Sequence, residues 1–297
     1  MKYVITGGSG HISKPLVEKL LNAGHTVTVI GRSPANLQSL VEKGATAATG
    51  SVEDPAFLTR AFKGADAVYT MVPPAYPQSG WKEWIARIGA NYAIAIRENG
   101  IRHVVNLSSV GAHLAEGVGP VSGLHHAEQA LNKLENVHIK HLRPAYFYTN
   151  LLASVGLAKN AGIIGSNFGK EGLKLVLAHP DDIAEAAFEE LSALRFTGST
   201  IRYISSDEKY AAEVAAAIGK AINKPDLPWI VFSDSDALQG MIGAGLPEEV
   251  AKNYVEMGQA MNSGKMLEDY WKQHPPTLGK IKLDDFARDF AAVYNAN

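Results

Sequence analysis

The amino-acid sequence predicts an α/β protein: a doubly wound parallel sheet followed by a smaller, mostly helical C-terminal region. Two observations carry this. From the N-terminus to about residue 144, short apolar runs alternate with amphipathic segments, as expected of strands covered by helices on both faces. A glycine-rich turn, Thr6-Gly7-Gly8-Ser9-Gly10-His11-Ile12-Ser13, joins the first apolar run to the first amphipathic segment. Together they define a Rossmann-like core.

Tyr3-Val4-Ile5 opens a strand over residues 3–6. Ile12, Leu16, Val17, Leu20 and Leu21 recur on one helical face, which predicts a helix over 12–22 ending before Gly24. Val27-Thr28-Val29-Ile30 predicts the second strand, 26–30, and a helix over 35–43 follows, stopped by Gly44. Strands over 45–49, 67–71, 103–107 and 137–142 continue the alternation, with helices over 55–62, 81–98 and 122–133. The second half is less regular: 151–160 reads as a helix and 162–177 as a glycine-punctuated stretch with short strands. His179-Pro180-Asp181-Asp182-Ile183 starts a helix, with proline and two acids in its first turn. A strand over 201–205 is expected to join the main sheet, before a helix over 211–222, a strand over 229–232 and a largely helical tail from Asp236.

The glycine turn sits where a strand feeds a helix. Gly7 lets the chain reverse, and Gly10 lets the backbone approach an anion with no Cβ in the way. Ser9, His11 and Ile12 complete the turn, and the first helical amides, at the positive end of the helix, point at the anion. A dinucleotide pyrophosphate fits that arrangement. Ser13 replaces the third glycine of the usual fingerprint and is still small enough for close helix–strand packing. The second strand ends in Gly31-Arg32-Ser33-Pro34, without the acidic residue that receives the ribose hydroxyls of NAD. Arg32 instead offers a planar fork to the 2′-phosphate of NADP, and Ser33 a hydroxyl, so NADP(H) is the expected cofactor. Residues just past the carboxyl ends of parallel strands line the ligand crevice. That places Ser51 and Val52 near adenine, Met71, Val72 and Pro73 under the ribose and pyrophosphate, and Ser108 and Pro144 near the nicotinamide. Residues 1–150 are expected to bind the nucleotide, and 151–297 to close over it without folding independently.

At 297 residues the chain can bury a substantial core, and its formal charge of −2 offers no basic face to nucleic acid or an anionic membrane. No apolar stretch is long enough to span a bilayer, and the first strand begins with no room for a signal peptide, so a cytoplasmic location is expected. The absence of cysteine removes disulfides and thiolate chemistry. The ten histidines are scattered and no His-Glu-x-x-His occurs, so no metal is expected. A hydrolase would need a Gly-x-Ser-x-Gly elbow, which is missing.

These motifs resemble the atypical short-chain dehydrogenase/reductases, and within them the NmrA-like branch, which includes NADPH-dependent quinone reductases, triphenylmethane dye reductases and redox-sensing regulators. The resemblance spans nearly the whole chain. It is carried by Val4-Ile5-Thr6-Gly7-Gly8-Ser9-Gly10-His11-Ile12, Gly31-Arg32, Gly64-Ala65-Asp66-Ala67-Val68, Leu142-Arg143-Pro144-Ala145-Tyr146-Phe147, Asp181-Asp182-Ile183-Ala184 and Gly245-Leu246-Pro247. Typical members of the superfamily use Tyr-x-x-x-Lys, whose lysine lowers the tyrosine pKa for proton exchange. None of the eleven tyrosines here has a lysine four positions later, and Gly119-Pro120-Val121-Ser122-Gly123-Leu124-His125-His126-Ala127-Glu128 offers neither residue. The NmrA-like reductases are similar in commonly lacking the pair. The resemblance implies hydride transfer to a small-molecule electron acceptor held against the nicotinamide, with solvent or a weak acid supplying the proton.

His125 and Tyr146 are the candidate catalytic proton donors. Imidazole is the side chain that exchanges protons near neutrality, and His125 stands closer than His126 to where the missing lysine would be. Tyr76, Phe147 and Asn150 join Tyr146 as a candidate aromatic pocket with one polar anchor. The plainer alternatives are a helix-surface histidine and two aromatic rings that seal the core. Two functions follow: an NADPH-dependent oxidoreductase acting on a quinone-like or other planar conjugated acceptor, or an NADP(H)-binding redox sensor without turnover. A homodimer is left open.

Overall fold

The structure, a computed structural model, describes residues 1–76 and 79–296. Its first half alternates strand and helix: β1 (Lys2–Ile5), α1 (Ser13–Asn22), β2 (Thr26–Gly31), α2 (Pro34–Val41), β3 (Thr46–Thr49), α3 (Pro55–Ala61), β4 (Ala67–Thr70), α4 (Trp81–Glu98), β5 (His103–Leu107), α5 (Pro120–Asn132) and β6 (His138–Pro144). The second half holds β7 (Tyr146–Phe147), a 3-10 turn (Tyr148–Ser154), α6 (Val155–Asn160), β8 (Ile164–Ser166), β9 (Lys174–Ala178), α7 (Pro180–Ala193), β10 (Ser199–Ile204) and β11 (Asp207–Tyr210). It continues with α8 (Ala211–Ala221), β12 (Trp229–Val231), α9 (Asp234–Gly243), α10 (Glu248–Asn262), α11 (Glu268–Lys272) and α12 (Leu283–Ala296).

Seven strands form one parallel sheet in the order β10-β6-β5-β4-β1-β2-β3. The order reverses at β1, which lies between β4 and β2, so the crevice opens over the carboxyl ends of β1 and β4. The strands read as nearly continuous apolar runs because both faces are covered. Val4, Val68, Val104 and Ile139 face the layer of α3, α4 and α5, while Tyr3, Ile5, Tyr69 and Val105 face the layer that includes α1 and α7. On α1, Leu16, Val17 and Leu20 are fully buried. Each contributes roughly 1.5–3 kcal/mol by leaving water, which sets α1 against the sheet with its N-terminus at the crevice.

β6 runs to Pro144, beyond the expected end at residue 142, because β10 pairs along it as far as Ile204↔Pro144. Proline has no N–H, but its carbonyl still accepts from Val110 N at 3.0 Å. The expected helix over 151–160 divides into the 3-10 turn and α6. β7 and β11 were not expected. They are strands because both pair with β9 in a second, three-stranded sheet, and not because of their own short or polar sequences. The C-terminal tail is fastened by two buried or half-buried carboxylates. Asp207 accepts from Tyr148 Oη and Leu283 N, both at 2.7 Å. Asp182 accepts from the amides of Lys280 at 3.0 Å and Ile281 at 3.2 Å. Among the described residues, no helix is long and apolar enough to cross a membrane, and no group of three or more His, Asp or Glu side chains could hold a metal ion.

Candidate active site

The three glycines of the turn have different tasks. Gly7 has φ of +71°, and a Cβ there would lie 2.6 Å from Met71 Sδ. Gly8 is closed in completely: a Cβ would come within 1.9 Å of Val29 Cγ2, so this glycine lets the turn pack onto β2. The sequence offered no sign of that role, since only the fold brings Val29 close. At Gly10 a Cβ would meet only the Gly7 carbonyl, at 3.1 Å, and would otherwise project into open space. Ser13 is buried, and its hydroxyl donates to the Thr6 carbonyl at 2.9 Å, tying the start of α1 to the end of β1. Among the described residues the amides of Ser9, His11, Ile12 and Ser13 find no acceptor, while Gly8 N donates to Ile30 O and Gly10 N to Gly7 O. Four unpaired N–H groups at a helix N-terminus, around a glycine with free space, fit a diphosphate.

The neighbouring strand ends continue the crevice. Gly8 N to Ile30 O, at 3.0 Å, places the turn beside the end of β2, where Arg32 is exposed and has no partner among the described residues. Ser33 occupies the N-cap of α2, yet its side chain makes no capping bond and stays available. Thr6 Oγ1 accepts from Met71 N at 3.0 Å and Tyr92 Oη donates to Met71 O at 2.7 Å, pinning the path from β4 into Val72 and Pro73. Ser51 Oγ accepts from Glu53 N at 3.2 Å, and Val52 is buried. Asn91 of α4 donates to the carbonyls of Val52 and Glu53, so α4 shapes this loop from behind. Ser108 is enclosed, its hydroxyl buried without a partner, whereas Ser109 beside it is half-exposed. Pro144 is buried within β6.

The two proton-donor candidates differ in readiness. His125 Nδ1 lies 2.9 Å from Ala112 O; a carbonyl only accepts, so a neutral ring carries its proton at Nδ1 and leaves Nε2 bare. Such a ring gives a proton from Nε2 only after taking one up. Tyr146 has no hydrogen-bond partner among the described residues, and burial alone pushes its phenol above the ordinary value. It therefore stays protonated. Phe147 is half-buried beside it, Asn150 is exposed on the 3-10 turn, and Tyr76 is exposed in the loop after β4.

Helix α10 roofs this end of the sheet. Glu249 accepts from Gly80 N at 3.0 Å and Trp81 N at 2.9 Å, satisfying the start of α4 that its own cap residue leaves open. Lys82 pairs with Glu256 at 2.7 Å. Gly119 has φ of +59°, and a Cβ there would lie 2.1 Å from the Asn253 carbonyl, so α10 presses directly on the start of α5. Tyr254 of α10 thereby reaches Tyr76, with 3.2 Å between their hydroxyls. Nothing in the sequence separated Tyr254 from an ordinary buried position of an amphipathic helix.

Two polar networks hold the floor. Arg143 at the end of β6 meets Glu128 of α5 at 2.6 and 3.0 Å, both side chains buried, and donates to Tyr203 at 3.1 Å. Burial opposes the Arg143 charge, and the Glu128 carboxylate more than offsets that. Across the sheet, Thr70 donates to Asn106 at 2.9 Å, Asn106 to His141 Nδ1 at 3.1 Å, and His141 Nε2 to Asn132 at 2.9 Å. Burial lowers the His141 pKa, and the chain of bonds needs only the neutral ring. Two surface grooves, one between α7, β10 and residues 273–280 and one between α4 and α5, touch none of the residues of the glycine turn.

Residues 7–143 match the model of an NAD(P)H-binding family. Over its length the chain is 24% identical to the NAD(P)H azoreductase of Xenophilus azovorans, across 295 residues and 99% of both proteins. The fold is similar to that of an NADPH-dependent quinone oxidoreductase from Escherichia coli complexed with NADPH, with a TM-score of 0.81, 21% identity, and coverage of 97% of this chain and 99% of that one. It is equally similar to the triphenylmethane reductase of Citrobacter sp. complexed with NADP(H), with a TM-score of 0.80, 20% identity, and coverage of 98% and 100%. These likenesses show a shared fold, a parallel sheet flanked by helices, which also resembles that of NmrA, a negative transcriptional regulator, in complex with NADP, with a TM-score of 0.72 and 14% identity.

Proposed function

We propose that the chain is an NADPH-dependent oxidoreductase that passes hydride to a quinone-like or other planar conjugated acceptor without a Tyr-x-x-x-Lys pair. The observation that carries this is the set of four unpaired amides around Gly10, opening on the same crevice as the exposed Arg32. The names of the similar proteins support the class: an azoreductase, a quinone oxidoreductase and a triphenylmethane reductase. Bound in this crevice, the cofactor supplies a hydride, that is, two electrons and a hydrogen nucleus. The residues of the chain do the rest. The amides of Ser9, His11, Ile12 and Ser13 hold the diphosphate, Arg32 and Ser33 receive the 2′-phosphate, and Ser51 and Val52 border the adenine. Met71, Val72 and Pro73 support the middle of the dinucleotide, with Ser108 and Pro144 beneath its reactive end. Tyr76, Phe147 and Asn150 border the acceptor, and Tyr146 holds the proton that the reduced acceptor takes.

The test is direct. Purified protein is mixed with NADPH and a panel of benzoquinones, naphthoquinones and triphenylmethane dyes, and the nicotinamide absorbance is followed. Oxidation with at least one acceptor supports the reading. Tight NADPH binding with no oxidation by any of them refutes it and selects the NADP(H) sensor.

A further inference from the structure

Tyr76 leaves the end of β4, Tyr146 leaves the end of β6, and β5 lies between those strands in the sheet. Tyr254 of α10 reaches Tyr76, its hydroxyl 3.2 Å away, and the carbonyl of the next residue, Val255, accepts from Asn167 at 3.0 Å, whose neighbour Phe168 stands against Tyr146. The rings of Tyr76, Trp81 and Tyr254 pack edge to face, with centroids 5.6, 5.4 and 6.5 Å apart, and Tyr146 stands edge-on to Phe168 at 5.3 Å.

Each phenol of this cluster carries one O–H. Two hydroxyls that share one hydrogen bond leave one O–H over. Neither Tyr76 nor Tyr254 has another partner among the described residues, and Tyr146 has none at all. Among the described residues, Tyr146 and whichever of Tyr76 and Tyr254 accepts in their shared bond each keep an O–H without an acceptor, and with Tyr76 donating the free one is that of Tyr254. Burial, then the bond to Tyr76, raises the pKa of Tyr254, while burial alone raises that of Tyr146; no charged side chain contributes to either. Both are neutral donors.

We propose that Tyr254 is a specificity-determining residue of the acceptor site, and that with Tyr146 it selects a neutral quinone by donating to its carbonyl oxygens. This rests on the reductase reading above. Hydride delivered to a quinone moves an electron pair onto a carbonyl oxygen, and a fixed donor binds that oxygen more strongly as its charge grows. The oxygen takes the Tyr146 proton, and the phenolate recovers one from solvent. Quinone, NADPH and one proton thus become hydroquinone and NADP+. A triphenylmethane cation takes hydride on carbon, needs no proton and develops no oxyanion, so these donors give it no advantage.

The experiment measures the Kd of 1,4-naphthoquinone by tryptophan-fluorescence quenching of the cofactor-free protein, together with kcat and KM under NADPH. Malachite green serves as the cationic comparison. Tyr254→Phe keeps the ring packing and is expected to raise the naphthoquinone Kd roughly 3- to 10-fold, the loss of one hydrogen bond to a neutral carbonyl, and to lower kcat/KM by about tenfold or more, because that oxygen gains charge as hydride arrives. The NADPH Kd and the malachite green KM stay unchanged. Tyr146→Phe lowers kcat more than it raises KM. An unchanged naphthoquinone Kd in Tyr254→Phe, an equal loss of quinone and dye, or a wild-type protein that does not bind naphthoquinone overturns the assignment. Naphthoquinone binding that depends on Tyr254 without NADPH oxidation leaves the assignment standing and refutes only the reductase reading.

Discussion

Replacing Arg32 with alanine separates recognition of NADP from recognition of NAD. Arg32 is exposed and has no hydrogen-bond or ion-pair partner among the described residues, so its removal strands no buried charge and leaves stability within about 0.5 kcal/mol of the wild type. What is lost is the guanidinium's grip on the 2′-phosphate. Hydrogen bonds to a charged group contribute roughly 1.5–3 kcal/mol, and about 1.4 kcal/mol is a factor of ten, so the NADPH Kd should rise roughly 10- to 150-fold. NADH carries no such phosphate, and its Kd should change less than about twofold. Because the pair is exposed, the difference should shrink as ionic strength rises from about 0.05 M to about 0.5 M. Arg32→Lys should recover part of the loss, since an ammonium supplies the charge without the planar fork. Calorimetric titration of the three proteins with both nucleotides decides the matter. Equal losses for NADPH and NADH, or no loss for NADPH, would remove the reason for choosing the phosphorylated cofactor.

Other substitutions test the frame around that site. Gly8→Ala forces a methyl to within 1.9 Å of Val29 Cγ2, a stiff β-branched neighbour in a central strand, and overpacking of this kind costs roughly 1–3 kcal/mol; an unchanged Tm would contradict the packing described. Gly10→Val should fold with a nearly unaltered Tm yet bind neither nucleotide, and retained affinity would move the cofactor site elsewhere. Glu128→Ala leaves the Arg143 guanidinium buried with only Tyr203 and, at 3.5 Å, Asp269, so a loss of roughly 3–5 kcal/mol is expected in urea unfolding; a loss below about 1 kcal/mol would show that Asp269 replaces the partner. His141 has a pKa lowered by burial, so the unfolded chain binds the extra proton once pH falls below about 6.5, and the stability present above that value is lost as pH drops, by up to about 1.4 kcal/mol per pH unit. His103 and His113, also lowered by burial, add to the slope. His141→Gln should flatten it, and an unaltered slope would show that His141 is not a contributor.

The local pattern of the chain carried most of the first half. Periodicity identified β1 to β6 and the helices between them to within a few residues, because the strands other than the exposed edge strand β3 are largely buried and each helix is buried on one face. The strand–glycine turn–helix order and the residues ending β2 were equally legible, since each is a local junction of the chain. The second half was harder to read. Tyr146-Phe147 and Asp207-Glu208-Lys209-Tyr210 have no strand pattern of their own and become strands only through β9. Likewise Ser108 follows β5 as expected, yet its side chain is enclosed while Ser109 is half-exposed, a matter of which way the chain turns after the strand.

By itself, then, the sequence determined the strand–helix alternation, the nucleotide turn and the charge waiting beside it, because those depend on neighbours within a turn or two of chain. Tertiary structure alone decided that Gly8 must be bare against Val29, that His125 spends its ring proton on Ala112, and that Tyr254 meets Tyr76. These are contacts between residues far apart in sequence. They exist only after the sheet and α10 have packed, and no spacing along the chain encodes them.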